Sequence, residues 1–431
     1  MKVFKYKNFS LMFFGRIISN IGDSLYTVAA MLLIYELGGS TFYTGLAGFL
    51  SILPRLVEFL SGPLIDKIPI RSLLVRTQFI QAGLLLIVPL AATLDILSVT
   101  LVLVLTPIIS TFNVLIFPAQ LAALPKVLPE EELTKGNSLF SIAYQGVDVA
   151  FNGLAGILFV VIGPFALYLV NSVAFLTGGV IFLLLSFPAS QNVEPEGSDE
   201  TPKRKSFRMV IKQYTDDLKE GASILFGSFV KKILYGVIVL NLVGAATVAV
   251  FPEFGLVIGG TEYVGFLLMA SAIGSLSGAL LAPILKLDRI PLGKMYIIGY
   301  LFAGCCWTLS VFMPFAWLTL FFYMIAWIPA GALNIVILTA LQKIAPKKMI
   351  GRIFTAATSL SGIAAPIGFL LGGSFGVWIG SSLVVAFSGV IVFLVALYWF
   401  SNQEVRNLPA TTALDENSLQ HQPTNRSTVT V

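Results

Sequence analysis

The chain has 431 residues, of which 57% are hydrophobic and 11% charged, with a formal net charge of +5. A soluble domain carries roughly 25% charged residues, so these proportions exclude an ordinary water-soluble globule. Apolar runs of about 20 residues recur throughout, each long enough for a hydrocarbon core of about 30 Å. Their continuity also excludes the short alternating segments of a membrane β-barrel.

In chain order the predicted spans are 10–35, 42–61, 73–93, 98–120, 137–162, 165–187, 232–251, 262–284, 294–312, 315–341, 353–374 and 378–400. The basic N-terminus runs into the first apolar stretch with no small-residue cleavage site, so that stretch is read as a retained span. Connections after the odd-numbered spans are short and lack Lys and Arg. Those after the even-numbered spans, with the two termini, hold nearly every cation. Of the 27 Lys and Arg, Arg55 alone is assigned to the interior of a span. The positive-inside rule then places both termini and the 188–231 segment in the cytoplasm, in a cell membrane. With the cations sorted by membrane side, the net charge is no argument for a nucleic-acid partner.

The expected organisation is an N-terminal six-helix half (1–187), a cytoplasmic linker (188–231), a C-terminal six-helix half (232–400) and a disordered cytoplasmic tail (401–431). The linker is charged and rich in Pro, Gly and Ser at first. From about 207 it alternates apolar and charged residues, as an amphipathic surface helix would. The halves echo one another. Asp66–Ser72 (DKIPIRS) matches Asp288–Lys294 (DRIPLGK), and Leu124–Leu139 matches Leu341–Thr355, at nearly constant separation. Parallel repeats of this kind pack about an axis along the membrane normal and leave a substrate cavity near the midplane.

Gly62, Asp66, Lys67 and Arg71, between spans 2 and 3, match the G-x-L-A-D-R-x-G-R-R signature of the major facilitator superfamily, which the chain therefore resembles. Pro69 stands where the family usually has glycine, and Ile70 where it has a first arginine. The stretches 117–140, 338–360, 19–25 (SNIGDSL) and 217–221 (DLKEG) resemble the subgroup with bacterial macrolide-efflux proteins and siderophore exporters. The resemblance implies a twelve-helix all-α membrane fold in two pseudo-symmetric halves. It also implies export of drug-like or amphiphilic solutes coupled to proton entry. On it, Gly62, Asp66, Lys67 and Arg71 form a conformational gate loop, with Asp288 and Arg289 its counterparts in the second half. Two patterns of drug–proton antiporters are missing: span 4 has no arginine, and span 5 has NGLAG (152–156) where a Gly-Pro pair is usual. GIAAPIGFLLGG (362–373) in span 11 reads as a hinge or as close helix packing.

Acids inside spans carry the mechanistic expectation. Asp23 lies about 20 Å into span 1, and Asp148 about 16 Å into span 5 from the same face. A carboxylate near the bilayer centre costs about 2.5–3.5 kcal/mol on insertion scales, so it faces a cavity or a partner. An apolar surround favours the neutral acid and entering water the carboxylate, which is the chemistry of proton coupling. Arg55 and Glu58 stand three apart on one helix face. They either pair with each other or act on Asp23 or Asp148, so all four residues are coupling candidates. Tyr26, Asn113, Gln145, Asn241 and Asn334 are the candidate cavity residues, for an amphiphilic small molecule. No cofactor or metal is expected: the single histidine lies in the tail, and Cys305 and Cys306 are adjacent within a span. No Walker motif occurs, so ATP is not the direct energy source. The expected protein is a monomer in contact with lipids, substrate and protons. Import or facilitated passage, and a receptor without transport, are the alternatives. An enzyme would need a nucleophile–base set that the sequence lacks.

Overall fold

The computed structural model describes residues 2–56, 68–186, 230–344 and 350–414, with a few positions between 215 and 226. Its helices are α1 (Lys7–Gly38), α2 (Thr41–Leu56), α3 (Ile70–Thr93), α4 (Val99–Val127), α5 (Glu130–Leu183), α6 (Val230–Ala249) and α7 (Phe251–Ile258). They continue with α8 (Tyr263–Ile284), α9 (Leu292–Val311), α10 (Ala316–Ile344), α11 (Ile350–Gly362), α12 (Ala365–Ile379), α13 (Ser381–Ser401) and the single turn α14 (Gln403–Arg406). Short 3-10 turns lie at Lys2–Lys5, Leu287–Arg289 and Thr411–Ala413. Helices dominate because a chain in hydrocarbon must satisfy its backbone polar groups within each segment.

Among the described residues, ten helices are long and apolar enough to cross a membrane. The apolar helix α2 runs into residues outside the described set. Although α5 is continuous by hydrogen bonding, it holds a non-helical glycine, Gly163 at φ 79°, followed by Pro164. Contacts with α1 show that the chain doubles back there. Asn20 and Ser24 meet Ala143 and Asp148, so the first arm of α5 runs alongside α1. Gly15 and Gly22 lie against Phe182 and Phe175, so the second arm runs antiparallel to it. These arms correspond to predicted spans 5 and 6.

Local sequence sets the ends. Gly39, in the left-handed region, closes α1 with its N–H on the Tyr35 carbonyl, the usual glycine stop. The Ser98 side chain caps α4 by accepting from the Leu101 N–H at 3.3 Å. The connection predicted after span 7 contains helix α7. Predicted span 11 is broken at Ile363–Ala364, between α11 and α12. Beyond the break, Gly368 sits directly on the Leu242 carbonyl of α6, so both a break and close packing occur in this small-residue stretch.

The chain forms two compact units. The first comprises Met1–Ile211, Ala249–Met269 and Phe369–Ser381; the second comprises Lys212–Val248, Ala270–Gly368 and Ser382–Val431. In the first unit two glycine crossings bring later helices onto earlier ones. Gly45 of α2 faces the Phe369 carbonyl and Gly373 of α12, and the Thr41 hydroxyl donates to the Gly373 carbonyl at 2.9 Å. Gly156 of α5 faces the Glu262 carbonyl and Gly265 at the start of α8. Its apolar core gathers Phe9, Phe13, Phe140 and Phe182 around Leu74, Ala119 and Leu124. The second unit centres on Trp399, with Tyr296 and Tyr300 at ring-centroid distances of 5.1 and 5.4 Å.

Each unit also ties its first helix to a later one. Asn8 and Ser186 exchange two hydrogen bonds, of 2.5 and 3.1 Å. In the second unit Lys232 donates to Asn402 at 3.3 Å, and the Trp399 indole N–H donates to the Lys232 carbonyl at 3.1 Å. The predicted disordered tail begins as folded chain: residues 402–414 carry α14 and the last 3-10 turn, and Val405, Leu408 and Leu414 are buried. These apolar side chains have a hydrophobic cluster to enter, which the polar look of the tail conceals. The remainder of the tail, residues 187–214 of the linker and most of its predicted amphipathic part lie outside the described residues.

Candidate functional site

A buried cation and a partly buried acid of the first unit lie along one face of α1. Arg16, Asn20 and Asp23 follow one another at four- and three-residue steps, which stack side chains on a helix face. Arg16 is only 5% exposed. Its guanidinium donates to Asn20 Oδ1 at 2.6 Å and stands 3.9 Å from an Asp23 carboxylate oxygen. The Asn20 amide reaches across to the Ala143 carbonyl on the first arm of α5, at 3.3 Å. One residue after Asp23, the Ser24 hydroxyl donates to Asp148 Oδ1 at 2.7 Å and also contacts the Asn20 carbonyl at 3.0 Å. Asp23, Arg16, Asn20, Ser24 and Asp148 therefore form one polar patch between α1 and the first arm of α5.

Packing holds this patch in register. Gly22 lets α1 lie close to Ala174 and Phe175 on the second arm of α5, and Gly15 lies close to Phe182. A second polar seam joins other helices of the unit. The Ser19 hydroxyl donates to Gln78 at 2.8 Å, Gln81 donates to Asn113 at 2.7 Å, and Ser172 donates to the Ala82 carbonyl at 2.9 Å. Such bonds in a membrane interior join helices that have no hydrophobic reason to prefer each other over lipid.

The assignment of Arg55 as the one cation within a span is corrected by Arg16, which is buried within α1. Arg76, Lys232 and Lys294 also lie within predicted spans and membrane-length helices, close to their ends. The signal was available: Arg16 stands inside the predicted span 10–35, and its spacing from Asp23 puts the two on one face. The side chains of Arg55 and Glu58 lie outside the described residues, so the cation seen beside Asp23 is Arg16.

Of the predicted cavity residues, Tyr26 is buried with its ring edge-on to Tyr168, at a centroid distance of 6.0 Å. Asn113 belongs to the helix-joining seam. Asn241 is exposed and donates to the Val237 carbonyl of its own helix at 3.0 Å, and Asn334 is exposed on α10. The Gln145 side chain lies outside the described residues. Gly62, Asp66 and Lys67 of the predicted gate loop are also outside them. Arg71 opens α3 and donates to the Leu183 carbonyl at the end of α5. Asp288 and Arg289 form the 3-10 turn between α8 and α9.

Ten membrane-length helices among the described residues, with a partly buried charge patch, define a multi-pass membrane protein. The family model for the Major Facilitator Superfamily matches residues 12–368, and the chain belongs to that family of membrane transporters. It is 25% identical over 257 residues to the uncharacterized MFS-type transporter YkuC of Bacillus subtilis, covering 59% of this chain and 58% of that protein. It is 24% identical to macrolide efflux protein A of Streptococcus pyogenes, over 94% of this chain and 99% of the relative. Its fold is similar to a solved bacterial homolog of the human lysosomal transporter Spinster, crystallised inward-facing and unoccupied. The TM-score is 0.71 at 13% identity, covering 94% of this chain and 98% of the other.

Proposed function

We propose that this transporter exports amphiphilic, drug-like or metabolite solutes by alternating access, driven by protons entering the cell through the Asp23–Asp148 patch. The observation that carries this reading is the contact of Arg16 with Asp23 beside the Ser24–Asp148 hydrogen bond. Two carboxylates and one guanidinium share the patch. With both acids ionised its charge is −1, and uptake of one proton makes it neutral. In a low-dielectric interior the neutral form is favoured until water enters, so the patch can load a proton on one side and release it on the other.

The likeness to a protein named for macrolide efflux supports an amphiphilic substrate and the outward direction. The protein acts as a monomer in the cell membrane, with both termini cytoplasmic. Its two sequence-repeated halves rock about the substrate, and Gly62, Asp66, Lys67, Arg71, Asp288 and Arg289 act on the conformational exchange.

The test uses purified protein in vesicles of known orientation, with a labelled macrolide and an imposed pH gradient. Uphill movement out of the cytoplasmic side that collapses with the gradient is expected. Asp23→Asn should abolish the gradient-driven component while sparing downhill exchange. If Asp23→Asn leaves gradient-driven transport and its pH dependence intact, Asp23 is a structural hydrogen-bonding residue and the coupling site has to be sought at Asp148 or Glu58.

A further inference from the structure

We propose that residues 402–414 form a built-in cytoplasmic strap that clamps the loop between α8 and α9 to the adjoining ends of α9 and α10 in the second unit. The segment leaves α13 at Asn402 and is held at points along its whole length. Glu404 pairs with Lys232 at 2.8 Å, and Asn402 accepts from the same lysine. Val405 passes directly over Gly293 near the start of α9, where any larger side chain would strike its carbonyl. Pro409 accepts from the Leu292 N–H at 3.1 Å, and Ala410 bridges antiparallel to Pro291. Lys343 near the end of α10 donates to the Thr411 carbonyl at 3.1 Å. Val405, Leu408 and Leu414 are 1%, 5% and 7% exposed and enter the same apolar cluster as Leu292, Tyr296, Ile344 and Trp399.

Two physical features separate a strap from chain that merely trails off. Helix α9 begins after Pro291 with no side-chain cap, so its first N–H groups need an outside acceptor, and Pro409 supplies one. The Lys232–Glu404 pair is half exposed and contributes little alone, so the three apolar anchors and the backbone pairing do most of the holding. The clamped loop carries Asp288 and Arg289, and the turn at Leu287–Arg289 packs against the turn at Thr411–Ala413. With the strap docked, this loop and the ends of α9 and α10 move as one body. This inference rests on contacts within the second unit and does not depend on substrate or coupling ion.

The experiment uses a background with Cys305→Ala and Cys306→Ala, in native membranes. Paired residues of an antiparallel bridge have Cα atoms about 4.5–5.5 Å apart, within disulfide reach. Pro291→Cys with Ala410→Cys should therefore cross-link on mild oxidation. Separately, Leu292→Cys, at a position buried in the cluster that the strap completes, is labelled with an impermeant maleimide in inside-out vesicles. Ending the chain after Ser401 should raise the labelling rate at least about fivefold, as local opening does, whereas ending it after Leu414 should leave it unchanged. If the chain ending at Ser401 does not reach the membrane, the full-length variant Leu408→Ser with Leu414→Ser is read instead, with the same rise expected. Failure to cross-link, or equal labelling in the undocked and full-length proteins, overturns the proposal.

Discussion

A guanidinium about 14 Å along a membrane helix must find partners within the protein. Arg16 finds Asn20 one turn on and Asp23 two turns on, and it is almost fully buried. Removing one member of such a pair strands the other charge, at a cost of about 3–5 kcal/mol. Arg16→Leu should therefore destabilise the protein strongly, while Arg16→Leu combined with Asp23→Leu should recover much of the loss. Thermal unfolding in detergent measures both, and a double variant as unstable as the single one would show that the two charges are not coupled. Ser24 is a second residue the apolar pattern does not announce. Its hydroxyl is a donor to Asp148, and Ser24→Ala should cost about 1–2 kcal/mol by leaving that acceptor short. The cost should vanish in an Asp148→Leu background.

At the scale of elements, two glycine devices shape the first unit. Gly163 permits the reversal within α5 by adopting φ 79° and ψ 165°, a region essentially confined to glycine that costs other residues about 1–3 kcal/mol. Gly163→Ala should lower stability by that amount, in the same unfolding assay, without changing the helix content seen by circular dichroism. Gly45 and Gly373 allow α2 and α12 to touch through their backbones. A side chain at either position must push the helices apart, and overpacking of this kind costs about 1–3 kcal/mol. Gly373→Val should therefore destabilise the protein measurably more than the same change at Gly83, where a Cβ would meet nothing within 4 Å. Equal effects at the two sites would mean that the crossing does not bear on stability.

For the whole molecule, the distribution of cations predicts orientation. A reporter fused after Val431 or inserted near Ser198 should read cytoplasmic, and one inserted at Gly38–Gly39 or Gly259–Gly260 external. Both glycine pairs lie at helix ends, Gly39 just after α1 and Gly259 just after α7, so insertion there leaves the flanking helices intact. A reversed reading at any of these sites would remove the assignment of sides. Orientation, twofold repetition and transport class are all properties of composition and long-range pattern, and they are insensitive to errors of a few residues in any one span.

The all-helical membrane fold and the family were legible in the sequence because both rest on one-dimensional signals: long apolar runs, charges sorted by connection, and short motifs repeated in two halves. That Asp23 and Asp148 stand inside long apolar helices was legible for the same reason. What a residue faces is not one-dimensional. That Asp23 meets Arg16, that Asp148 meets the neighbouring Ser24, and that Asn113 joins helices all depended on how α1, α3, α4 and α5 pack. The polar character of the chain after Ser401 suggested disorder, yet three spaced apolar residues suffice to dock it once a cluster exists to receive them. Burial is decided by the neighbour that covers a side chain, and only the tertiary structure supplies that neighbour.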